Sequence, residues 1–113
     1  MLNKPGIVTA IPRRRYSLGE YTVVVLHEIE SNDGIDYSYI MAVVRGQDPE
    51  PGLYITAERI PGRDIAMRIV MQGGDEVLGT SPAWSDLEAF VTASLDIVAR
   101  VLNVTDETPY QLM

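Results

Sequence analysis

Apolar and polar positions alternate along most of the first eighty residues, and from Ser81 onward the apolar period lengthens to three and four. An alternation of two marks a strand with one face buried, and a repeat of three to four marks a helix, so the chain divides into a β-rich portion followed by one helix. Tyr21 to Ile29 is the clearest strand, because its run of β-branched residues and its tyrosine fit a pleated surface better than a helix. Ser31-Asn32-Asp33-Gly34 ends it with residues that bond their own backbone or take positive φ, and Tyr37 to Arg45 returns as its partner.

Three further strands are expected. Leu53 to Ile60 follows a loop whose two prolines exclude helix and sheet interior, and Pro61-Gly62 closes it as the centre of a type II turn. Ile65 to Gln72 alternates so that Arg68 falls on the face opposite Met67 and Ile69. Gly73-Gly74 permits a tight hairpin into a short strand, Asp75 to Gly79, whose charges and glycine suit a protected edge. An additional strand, Ile7 to Tyr16, precedes all of these and contains Pro12, which places it at an edge or a bend.

The helical pattern covers residues 84–103. Leu87, Val91, Leu95, Val98 and Leu102 form one stripe, with start signals at Ser81-Pro82 and in the capping-box pattern Ser85-Asp86-Leu87-Glu88. A second set, Phe90, Ile97, Val101 and Val104, broadens the stripe, and the strand from Tyr21 is apolar on both alternating faces. Both features predict apolar surface beyond what one helix on one sheet face consumes, and a two-fold homodimer is the commonest way to cover such surface.

The expected fold class is therefore α+β: an antiparallel meander of four to six strands followed by one long C-terminal helix packed on one face of the sheet. Residues 1–113 read as a single domain, with 1–15 a basic arm or edge strand and 105–113 a polar C-terminal tail. In outline this is similar to the single-stranded-DNA-binding transcriptional coactivator fold, in which four strands precede one helix and such elements mediate dimerisation. That likeness is one of topology. The basic sheet surface of that family is missing, so its activity is not carried over.

Charge is divided along the chain. Residues 1–15 hold Lys4, Arg13, Arg14 and Arg15 and no acid, whereas the remainder holds five arginines against all sixteen acids, for a net charge of −7 overall. An acidic body repels phosphate backbones, which leaves the arginine cluster as the local exception. The chain has no cysteine, which removes disulfides, thiolate metal sites and thiol nucleophiles and points to a cytoplasmic location. No membrane segment or signal peptide is expected, because no apolar run has the required length.

Candidate chemistry is sparse. Gly73-Gly74-Asp75-Glu76 resembles the opening of the GGDEF signature of diguanylate cyclases, where glycines admit the nucleotide and acids hold Mg²⁺, but position 77 is Val and the chain is too short for that α/β domain. His27 is the only histidine, there is no G-x-S-x-G elbow, and strand alternation sends Glu28 to the face opposite His27. Asn32-Asp33-Gly34-Ile35-Asp36 lacks the carboxylates an EF-hand loop needs at its first and twelfth positions, and no phosphate-binding loop occurs. No catalytic residue, metal ligand or cofactor is expected, and the balance leans away from an enzyme without deciding against one.

The binding candidates are Arg13, Arg14, Arg15, Tyr37 and Tyr39. Arginine forks hold phosphate or carboxylate, and in an extended strand Arg13 and Arg15 share one face while Arg14 faces away. Tyr37 and Tyr39 share a face by the same alternation and with Tyr54 would offer a stacking platform. Three functions are consistent with these features. The leading one is a small acidic binding or accessory protein, a homodimer acting through protein–protein contacts. A second is a nucleic-acid-binding module that uses the arginines and tyrosines, and a third is a small-ligand binder or enzyme with a site between sheet and helix or at a dimer groove.

Overall fold

The computed structural model describes residues 4–112; Met1–Asn3 of the basic arm and Met113 of the tail lie outside the described residues. Six strands, β1 (Ile7–Leu18), β2 (Tyr21–Ser31), β3 (Asp36–Arg45), β4 (Leu53–Arg59), β5 (Ile65–Met71) and β6 (Gly74–Ser81), form an antiparallel meander. Helix α1 (Leu87–Val101) follows, and a two-residue strand, β7 (Tyr110–Gln111), completes the sheet in the order β6-β5-β4-β3-β2-β1-β7. The α+β expectation holds, with more strands than the four of the coactivator arrangement.

Turn chemistry explains the connections. Arg63 donates its backbone N–H to the Ile60 carbonyl at 3.0 Å across Pro61-Gly62, and Gly62 takes φ 75°, as a type II turn requires. The β5–β6 hairpin turns one residue earlier than the glycine pair implies, since Met71 pairs with Gly74 and leaves Gln72-Gly73 as the loop.

The expected single helix over 84–103 divides in two because its start signals act in tandem. Ser81 Oγ accepts from the Ala83 N–H and caps a 3-10 turn at Pro82–Ser85, and Asp86, rather than Ser85, caps α1 by accepting from the Ala89 N–H at 3.0 Å. At the other end Asn103 adopts φ 57° and the Val104 N–H reaches back to Ala99, a left-handed cap that stops the helix.

α1 shares one core cluster with β1 to β5. Phe90 is 0% exposed and stacks on Tyr39 with ring centroids 5.4 Å apart, alongside Val25, Met41, Ile55 and Met67. Burying such a side chain contributes about 1.5–3 kcal/mol. Of the second apolar set, Phe90, Ile97 and Val104 join this cluster with the stripe, whereas Val101 stays 43% exposed.

The surplus apolar residues of the sheet are a correction to the sequence reading. Tyr37, Ile40, Ala42, Tyr54 and Val70 form a second cluster that contains no helix residue, yet Ile40 and Val70 are 0% exposed. Single extra residues at Val8, Arg13, Ser38 and Leu78, and a further irregularity in β2 at residues 28–29, interrupt the ladders. Each such bulge bends its strand and increases local twist. The helix-free face therefore closes over its own apolar residues, with Ile7, Leu26, Ile29 and Ile35 packed around them, and does not remain a bare apolar surface.

The C-terminal tail is also tied down. Tyr110 and Gln111 pair with Ser17 and Tyr16, and the Leu112 N–H donates to the Arg15 carbonyl at 2.7 Å.

Candidate functional site

Bulges decide where the candidate residues point. In β1, Pro12 pairs with Leu26 and Arg14 with Val25, so Arg13 is an extra residue and strict alternation fails there. Arg14 faces the helix, where its guanidinium bonds the Glu88 carboxylate and approaches the Tyr16 hydroxyl at 3.4 Å. The hydrogen bond from Arg14 holds the Glu88 carboxyl below its ordinary range against desolvation, with help from the charges of Arg14 and Arg13. Arg14 is therefore tied to the first turn of α1. Arg15, across from Val24, faces the other way. The expected pairing of Arg13 with Arg15 on one face is overturned.

The tyrosines separate for the same reason. Tyr37 pairs with Glu58 and Tyr39 with Ala57, so Ser38 is extra and the two rings fall on opposite faces. Tyr39 lies against Phe90, while Tyr37 is buried in the helix-free cluster with Tyr54. No stacking platform is formed by these three residues. Glu28 also departs from expectation: at φ 49° it breaks the alternation, and its carboxylate comes within 3.7 Å of His27 Nε2.

On the helix-free face, Arg68 Nε and Nη2 both reach Glu58 Oε2, at 2.8 and 2.7 Å, and Nη1 reaches Asp75 at 3.2 Å. Thr56 donates its hydroxyl to the same Glu58 oxygen at 2.8 Å. Burial disfavours the Arg68 charge, but Glu58 and then Asp75 more than compensate, so this guanidinium is held cationic. One guanidinium thus bridges two carboxylates and binds the three outer strands together.

Exposed apolar side chains concentrate at the borders of the sheet. Val77 and Leu78 on β6 are 60% and 40% exposed, and Val8, Ile11, Tyr110 and Leu112 are exposed along β1 and β7. β6 ends the sheet with no strand beyond it among the described residues. An uncovered edge presents a row of N–H and C=O groups to any extended partner. The sequence signal for this site was the adjacency of Val77 and Leu78 in the short last strand of the meander, just after two acids.

A cleft of ≈ 210 Å³ lies where the sheet meets the end of the helix, lined by Tyr21, Val43, Leu53, Met71 and Leu102 together with Arg45 and Asp48. Among the described residues no group of three or more acidic, histidine or cysteine side chains is placed to hold a metal ion, and no helix is long and apolar enough to cross a membrane. No protein family, curated protein or solved structure shows a significant match to this chain.

Proposed function

We propose that this chain is a small, non-enzymatic binding or accessory protein that works as a homodimer through protein–protein contacts. The observation that carries the reading is the exposure of two adjacent apolar side chains, Val77 and Leu78, on an outermost strand with no strand beyond it among the described residues. Isolated exposed apolar residues are ordinary, but a pair of them on an open hydrogen-bonding edge favours association. Sedimentation equilibrium of the full chain from low to high micromolar concentration tests this: a concentration-dependent dimer supports it, and a monomer throughout refutes it. The absence of cysteine fits a cytoplasmic location, where thiols stay reduced.

A second reading, a small-ligand binder, draws support from the cleft between Leu102 and the strand ends at Tyr21, Leu53 and Met71. A thermal-shift screen against small metabolites tests it, because a ligand at 100 times its Kd stabilises by about 2.7 kcal/mol. The nucleic-acid reading retains Arg13 and Arg15 but loses its tyrosines to the interior, and it would require salt-sensitive retention on single-stranded DNA or RNA.

A further inference from the structure

We propose that two copies join through β6, strand against strand and antiparallel, about a two-fold axis passing between Val77 and Leu78. The proposal rests on the dimer reading above and commits it to one surface and one occupant, a second copy of this chain.

Backbone and apolar contacts come first. β6 is eight residues long and has its outer side free among the described residues. Leu78 is the extra residue of a bulge, because Met67 pairs with Gly79 and Arg68 with Val77. Two-fold pairing about the 77–78 bond sets Val77 opposite the partner's Leu78 twice, which gathers four exposed apolar side chains at the centre of the contact.

Charge selects this arrangement. Both acids of β6, Asp75 and Glu76, lie in its first half, and Val77 to Ser81 carry no charge. Parallel pairing in register would set like acids side by side, which destabilises a sheet. Antiparallel pairing sets Asp75 opposite the partner's Thr80 and Glu76 opposite the partner's Gly79. Asp75 already has Arg68 as a partner at 3.2 Å, whereas Glu76 has no ion pair among the described residues.

The missing counter-charge sits beside the other end of β6, in the turn between β4 and β5. Arg63 borders a shallow depression with Thr80, and its guanidinium has no ion pair among the described residues. Two-fold pairing carries Glu76 of each copy toward that end of the other. Two unpaired charges of opposite sign, one on β6 and one beside its far end, are thereby self-complementary, as an isologous interface requires. Asp64 borders the same depression and competes for Arg63.

The test is a charge exchange read by sedimentation of the full chain, with circular dichroism confirming that each variant is folded. Arg63→Glu and Glu76→Arg should each weaken the dimer roughly tenfold, since the two-fold counts each change twice. The double variant Arg63→Glu/Glu76→Arg should recover most of the loss, and Asp64→Asn should tighten the dimer. Val77→Lys with Leu78→Lys should leave a folded monomer. A wild-type chain that is monomeric at high micromolar concentration overturns both this pairing and the dimer reading. A dimer that none of these substitutions weakens overturns the β6 contact alone. Growth beyond the dimer, as expected if acidic β6 met the basic β1 edge head to tail, overturns the two-fold.

Discussion

The Tyr37 hydroxyl donates to Asp33 Oδ2 at 2.6 Å, which joins the buried aromatic residue of the helix-free cluster to the turn between β2 and β3. The same carboxylate accepts the Gly6 N–H at 2.8 Å and the Ile35 N–H at 3.0 Å, and the Asn32 N–H donates back to the Gly6 carbonyl at 2.8 Å. One aspartate thus ties together the chain start, the turn and the second core. Close approach explains Gly6 itself, since a Cβ there would run into the Asn32 side chain. Tyr37→Phe should lower stability to urea by about 1.5–3 kcal/mol, the range for a hydrogen bond to a charged acceptor, and Asp33→Ala by more, because three donors lose their acceptor. An unchanged urea midpoint for Asp33→Ala would show that the turn holds without its carboxylate.

The same pair sets a pH dependence at both ends of the scale. Desolvation pushes the Asp33 carboxyl up, but the hydrogen bonds from Tyr37, Gly6 and Ile35 outweigh it and hold it below the ordinary range. A folded-state value below the unfolded one means that this stabilisation is complete above the unfolded value, about 3.9, and is lost as pH falls through the folded value. Asp33→Asn should therefore flatten the acid limb of a stability–pH curve. Tyr37 has the opposite sign: burial first, then the bond to Asp33, raises its phenol well above the ordinary value. Its contribution is complete below about pH 10 and is lost as pH climbs toward the folded value, so Tyr37→Phe should flatten the alkaline limb.

The helix-free cluster should behave as core of a single copy. Ile40 and Ile55 are both 0% exposed, one on each face of the sheet. Ile40→Ala and Ile55→Ala should each lower unfolding free energy by about 2–5 kcal/mol, with no dependence of the Ile40 effect on protein concentration. A loss at Ile40 that vanishes in dilute solution would instead make that face a contact between copies.

Elements were legible in the sequence, and their faces were not. Strands announce themselves through β-branched alternation, and turns through residues whose backbone needs are explicit, as Pro61-Gly62 shows. The helix-free core, by contrast, was readable only as a surplus of apolar residues in β2, because nothing in composition says whether a sheet curls over its own face. Bulges are harder still. An extra residue at Arg13 or Ser38 changes no composition, yet it moves every following side chain to the other face, so Tyr37 parts from Tyr39 and Arg15 from Arg13. The Arg14–Glu88 ion pair left no mark in the sequence, because its partners lie 74 residues apart.

Glu28 offers a direct test of how a bulge is held. Its φ of 49° lies in the left-handed region, which disfavours a non-glycine residue by about 1–2 kcal/mol. Against this stands the approach of its carboxylate to His27 Nε2 at 3.7 Å, with the Glu28 side chain largely in water, a contact of small value. Glu28→Gly relieves the backbone but gives the unfolded chain more freedom, which offsets part of the gain. The net expectation is stabilisation by up to about 0.5–1 kcal/mol in thermal or urea unfolding. Gly34→Ala is the control of opposite sign: Gly34 takes φ 79° with nothing within 4 Å of an added Cβ, so any loss there is backbone strain alone. Should Glu28→Gly destabilise the fold while Gly34→Ala behaves as expected, the Glu28 side chain, through His27, would be what holds the bulge, and His27→Ala would then reproduce the loss.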